Sequence, residues 1–248
     1  MARPRILLVP EFTEVAWTIK PQLEEWAEVA SYDPPGVGAE PPSRERSRSI
    51  ARELVAERGL LELERRGWDR FILVADSWAI AVGCRIAEQR RGQLAGIALG
   101  HACLSFRRDG ERPPKSAAVW EALTQLLHQD QGAFIRHGIA QATGGSIDED
   151  LADRMLDRFP TELIVDAWEA LTADDAQFAH VLLKLDCPML LAKHEGCLVS
   201  TDEGFEDAVA ALPNARTFAS TDSPESSPAF ADELRSFCEH AWAPPPRG

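Results

Sequence analysis

The sequence predicts an α/β protein built on a mainly parallel, doubly wound sheet with an inserted helical cap. Three observations carry that expectation. Short runs rich in Ile, Leu and Val recur along the chain and alternate with segments of helical periodicity, the pattern of strand–helix–strand units. Several runs are continuously apolar, as strands buried on both faces require. Between residues 105 and 185 the strand pattern stops and only helical spacing continues.

In order, Ile6-Leu7-Leu8-Val9 reads as a first buried strand, ending at Pro10-Glu11-Phe12. Trp17, Ile19, Leu23, Trp26 and Ala27 form one helical face that leads into a second strand, Val29 to Tyr32. That strand stops at Asp33-Pro34-Pro35-Gly36-Val37-Gly38, where Pro fixes φ and Gly permits positive φ. A long helix from about Ser47 to Arg66 crosses to the strand Arg70-Phe71-Ile72-Leu73-Val74. After it, Ala75-Asp76-Ser77-Trp78-Ala79 gives way to helical spacing from Ile80, which reads as strand, sharp turn, helix, with Ser77 at the apex. Leu94 to Gly100 is a further buried strand and ends at His101.

The helical stretch that follows breaks at Pro113-Pro114, Gly144-Gly145 and Pro160. It is rich in apolar residues for a surface excursion, among them Trp120, Leu123, Leu126, Phe134, Ile139, Leu182 and Leu183. The sheet resumes at Met189, a helix spans about Thr201 to Leu212, the last strand is Ala215 to Ala219, and a final helix runs from Pro228 to about Trp242. The expected division is a core of residues 1–104 and 186–243, a cap of residues 105–185, and a mobile Pro-rich tail, 244–248.

A chain of 248 residues can bury a substantial core. Its net charge of −14 disfavours nucleic acids and anionic membranes, which would repel it at long range, so a small-molecule partner is expected. The five cysteines, Cys84, Cys103, Cys187, Cys197 and Cys238, are scattered and odd in number; neither a disulfide framework nor a metal site is indicated, and a reducing cytoplasm fits. The N-terminal apolar run is too short for a signal peptide and no run approaches a membrane span. No cofactor is called for, and the oligomeric state is left open.

The turn at Ser77 has small residues two before and two after it. It is similar to the Gly-x-Ser-x-Gly nucleophile elbow of the α/β-hydrolase superfamily, with Ala75 and Ala79 in place of both glycines. Two further anchors stand in order before it: the Asp33-x-x-Gly36-x-Gly38 segment resembles the family's Asp-x-x-Gly-x-Gly loop, and the long helix crosses from there to the elbow strand. The Cys187-Pro188 entry to the later strand is also like the family's. The resemblance implies Ser77 as nucleophile, with Phe12 and Trp78 offering oxyanion-hole amides. Pro10-Glu11 stands where relatives have His-Gly, and an acidic Glu11 beside an oxyanion would be unfavourable unless it points away, as a solvated loop carboxylate would.

The rest of the implied triad is altered. Gly196 occupies the place of the family's acid, with Glu195 beside it. Where the histidine should follow the last strand the chain reads Ser220-Thr221-Asp222-Ser223-Pro224, and no histidine occurs between His194 and His240. A serine without a positioned base is a poor nucleophile at neutral pH. Relocated bases are available in His101 and His194, which both follow strands at the edge where open α/β sheets build their sites, although a histidine at a strand end is commonly a structural one. Neither stands where the family puts its histidine, so both are expected to miss the Ser77 hydroxyl. Glu195 and Asp222 are the remaining candidates. Asp76 is either an acid–base group packed under the elbow or, as expected, a solvated or helix N-terminal carboxylate.

Three functions follow. The first is a hydrolase-like protein handling a small, largely apolar ester, lactone or related carbonyl compound in a capped pocket centred on Ser77. The second is a non-catalytic binding or interaction protein on the same fold. The third is cofactor-free lyase or isomerase chemistry using Ser77, Asp76 and Glu11.

Overall fold

The structure, a computed structural model, describes residues 2–10, 16–38, 40, 52–77, 79–101, 114–142, 145, 147–158, 165, 179–195 and 202–243. Its centre is one six-stranded sheet: β1 Arg5–Leu8, β2 Glu28–Ala30, β3 Phe71–Asp76, β4 Leu94–Gly100, β5 Met189–His194 and β6 Arg216–Ser220. All pairings are parallel and the order is β2-β1-β3-β4-β5-β6. The order reverses between β1 and β3. At such a switch point the connections leave the carboxyl ends of adjacent strands in opposite directions, opening a crevice there.

Side chains alternate across the sheet. Leu7, Leu73, Ala75, Leu99 and Leu191 face one core with helices α2 (Arg52–Arg66) and α3 (Ala79–Gln89). Ile6, Leu8, Ile72, Val74, Ala98, Leu190 and Ala192 face the other, with the last helix. Every residue of β3 and β4 is buried, which is why these strands are written as continuous apolar runs.

The helix expected over Trp17–Ala27 is shorter, α1 Lys20–Glu24. The Trp17 indole N–H donates to the Val9 carbonyl at 3.0 Å and the Ile19 N–H donates to the Glu225 carbonyl at 3.3 Å, so the residues before Pro21 are tied to neighbouring loops instead. Between β4 and β5 the described helices are α4 Pro114–Gln129, α5 Gln131–Ala142, α6 Glu149–Arg158 and α7 Ala179–Leu182. Leu127, Phe134, Ile139, Leu151 and Met155 from these helices join the same apolar cluster as Leu7 and Leu73. Leu183, read as part of that apolar content, is instead 51% exposed, on the outer side of the turn that ends α7.

An ion pair from Arg158, at the end of α6, to the buried Asp33 ties the inserted helices to the loop after β2, and the Gly38 N–H donates to the Arg158 carbonyl at 2.9 Å. Helices α8 Asp202–Ala211 and α9 Pro228–Trp242 complete the fold. Ser227 caps α9, its hydroxyl accepting from the Phe230 N–H at 3.2 Å. Among the described residues no helix is long and apolar enough to cross a membrane. The expected tail, 244–248, lies outside the described residues.

Candidate active site

The turn after β3 holds Ser77 with φ 46°, a left-handed conformation uncommon for a residue with a Cβ. Its N–H donates to the Gly100 carbonyl at 3.3 Å, and its carbonyl accepts from the Ile80 N–H at 3.1 Å as α3 begins. The end of β4 does the same thing one strand over, since His101 has φ 43°. Asp76 and Gly100 are register partners, so Ser77 and His101 leave adjacent strands side by side, about 5 Å apart at the inter-strand spacing.

Asp76 shares the sheet face of Ile72 and Val74, and its side chain is fully buried. The expectation of a solvated or helix N-terminal carboxylate is therefore wrong: the strand continues through Asp76, and the alternation carries its side chain under the loop after β6. There Asp76 Oδ1 stands 2.7 Å from His101 Nδ1. His101 Nε2 in turn stands 3.1 Å from His194 Nδ1, with the two rings edge-on. The His194 Nε2–H donates to the Thr221 carbonyl at 2.9 Å. The result is a hydrogen-bonded series from a buried carboxyl through two imidazoles, 12% and 4% exposed, to a main-chain oxygen.

Hydrogen bonds tie down the loop that carries that oxygen. Ser220 Oγ accepts from the Asp222 N–H at 3.1 Å and pairs with Ser227 Oγ at 3.1 Å, while the Ser226 N–H donates to the Ser223 carbonyl at 2.9 Å. Gly100 makes room beneath. A Cβ there would collide with Asp76 Oδ1 and stand 2.8 Å from Asp76 Cγ and 2.9 Å from Pro224 Cβ. Two buried oxygens close to this cluster in sequence, Asp76 Oδ2 and Ser223 Oγ, have no hydrogen-bond partner among the described residues.

His101, His194 and Asp76 are thus brought together beside Ser77, and among the described residues neither imidazole hydrogen-bonds to the Ser77 hydroxyl. Glu195 is exposed, its N–H donating to the Ser220 carbonyl at 2.7 Å, and Asp222 is half-buried; neither carboxylate hydrogen-bonds to Ser77, His101 or His194. Glu11, Phe12 and Trp78, with Cys197 of the loop after β5, lie outside the described residues. Sequence reasoning missed Gly100, Thr221 and the serines of the loop after β6. The cluster Ser220, Ser223, Ser226, Ser227 was a visible signal for a hydrogen-bonded loop; a main-chain carbonyl has none.

Compared as a sequence, the chain matches no protein-family profile and no curated protein. Compared as a structure, it is similar to a bromoperoxidase from Bacillus anthracis, with a TM-score of 0.76 at 17% identity, covering 96% of this chain and 92% of that one. It is similar to an esterase from Exiguobacterium antarcticum, with a TM-score of 0.73 at 16% identity, covering 98% and 92%. A hydrolase from Oleispira antarctica gives 0.73 at 15% identity, over 96% and 92%. The fold is that of the α/β-hydrolases. In this fold Ser77 stands at the turn between β3 and α3, beside a carboxylate–imidazole pair drawn from the ends of β3 and β4.

Proposed function

We propose that this protein is a serine-dependent hydrolase of small, largely apolar esters, lactones or related carbonyl compounds, with His101 as the base and Asp76 as the group that orients it. The observation that carries the reading is the 2.7 Å Asp76 Oδ1 to His101 Nδ1 contact beside the strained Ser77. A carboxylate on Nδ1 fixes the tautomer that leaves Nε2 to take a proton. Ser77 Oγ attacks the substrate carbonyl as its proton passes to His101 Nε2, and the tetrahedral adduct collapses as His101 returns that proton to the leaving alcohol. Water then attacks the acyl-serine by the same route, releasing the acid. By the family resemblance the Phe12 and Trp78 amides receive the oxyanion. The helices of residues 105–185 act as a cap over the pocket, a reading supported by the apolar cluster they share with the sheet. The strongly acidic chain favours neutral substrates.

Short p-nitrophenyl esters test this. Turnover should vanish in Ser77→Ala and fall about 10³-fold or more in His101→Ala. The binding-protein reading is favoured by one contact: His101 Nε2 faces His194, so the base is engaged elsewhere in this arrangement. Absence of turnover together with absence of Ser77 labelling by a fluorophosphonate would select it.

A further inference from the structure

We propose that Asp33 and Arg158 are a specificity-determining pair: their contact latches the inserted helices to the far side of Ser77 and so sets how bulky an ester can reach it. Control of access rests on the hydrolase reading above; the latch itself does not.

The topology gives this contact its leverage. The inserted helices follow β4 and precede β5, and both strands lie on one side of β3, whose carboxyl end leads into Ser77. On the other side comes β1 and then β2, two places from β3, so the loop after β2 begins about 10 Å across the sheet from the Ser77 turn. Arg158, the last residue of α6, meets Asp33 of that loop. The insertion is thus held at the carboxyl edge on both sides of Ser77, and it spans the switch point between β1 and β3 where a ligand would enter.

The meeting place is shaped for the pair. The Asp33 side chain is buried, and the Gly38 N–H donates to the Arg158 carbonyl at 2.9 Å, so one loop holds both the guanidinium and the main chain at the end of α6. Gly38 has φ 59°, and a Cβ there would collide with Asp33 Oδ2 and stand 2.7 Å from Arg158 Nη2 and 3.1 Å from Cζ. Glycine supplies both the backbone conformation and the room.

Other contacts of α6 do a different job. Arg136 of α5 reaches Glu149 at 2.7 Å and Asp153 at 3.6 Å, which joins α5 to α6 at the surface of the insertion. Leu151, Ala152 and Met155 bury the apolar face of α6. Apolar contact is non-directional and tolerates small rocking motions. The Arg158 contacts are directional, and they fix where α6 ends over the sheet.

Hydrogen exchange followed by mass spectrometry reads the latch. In Arg158→Met the amides of α5 and α6 should exchange at least tenfold faster while those of β3 and β4 keep their rates. Equal acceleration of helices and sheet, or of neither, overturns the latch. Asp33→Asn/Arg158→Met removes both charges of the pair and should give the same pattern if the single variant does not fold. Arg158→Lys keeps the charge without the planar fork and should recover part of the protection. Access is read by labelling Ser77 with a small alkyl and a bulky aryl fluorophosphonate. In the latch variants the bulky probe should gain at least tenfold on the small one. An unchanged ratio overturns the control of access, while the exchange pattern would still establish the latch. Absence of labelling by both probes, in wild type as well, overturns the control of access together with the hydrolase reading.

Discussion

Ser77 and His101 each hold a left-handed backbone conformation that costs a residue with a Cβ about 1–2 kcal/mol. Two such residues side by side at the ends of β3 and β4 mark where the fold concentrates its strain. Replacing Ser77 by Gly removes one of these penalties, and the extra unfolded-state entropy of glycine, about 0.5–1 kcal/mol, offsets only part of the gain. Ser77→Gly should therefore melt at the same temperature or a few degrees higher, while losing all labelling; a marked fall in Tm would mean that the hydroxyl itself supports the turn. Gly100 carries the opposite prediction. Its Cβ position is filled by the Asp76 carboxyl and backed by Pro224, so Gly100→Ala must displace Asp76 from His101. We expect ester turnover to fall at least tenfold with far-UV circular dichroism unchanged. Wild-type turnover in that variant would show that the dyad is not needed.

At the scale of elements, α3 must approach β3 closely enough to aim the elbow. A Cβ on Gly83 would lie 2.9 Å from Leu73 Cδ2 and 3.0 Å from Ala75 Cβ. Alanine is better than glycine in a helix by about 1 kcal/mol, but overpacking against a strand that cannot yield costs about 1–3 kcal/mol, so crowding wins. Gly83→Ala should lower stability in urea unfolding; a gain would mean that helix and strand part easily. The six strands were legible because burial on both faces writes unbroken apolar runs, and the elbow because a serine among small residues between a strand and a helix is a local pattern. What joins Asp76, His101 and His194 was not local. Each was visible as a candidate, but their contact depends on the register that sets Asp76 beside Gly100 and His194 beside Ser220. The shortening of α1 was hidden for a similar reason, since the competing partners of Trp17 and Ile19 are distant in sequence.

At the scale of the molecule, the inserted helices and the sheet share one apolar cluster, so neither buries its surface alone. Excising residues 105–185 and bridging the gap should leave a sheet that binds a hydrophobic dye and precipitates near neutral pH. A soluble, monomeric product as stable as the parent would make those helices an independent module.

The chain through Asp76, His101, His194 and Thr221 also has an order in time. As the polypeptide leaves the ribosome, the carboxyl, the serine and the first imidazole appear together, then the second imidazole, and only after β6 the oxygen that closes the series. A nascent chain halted after β5 can already bury four of its five sheet pairings, yet it leaves an unpaired strand edge and a His194 with nothing to hold its outer nitrogen. The series is thereby completed only with the sheet: a chain ended before β6 lacks both the oxygen that accepts from His194 and the last helix that covers Ile72, Val74 and Leu190.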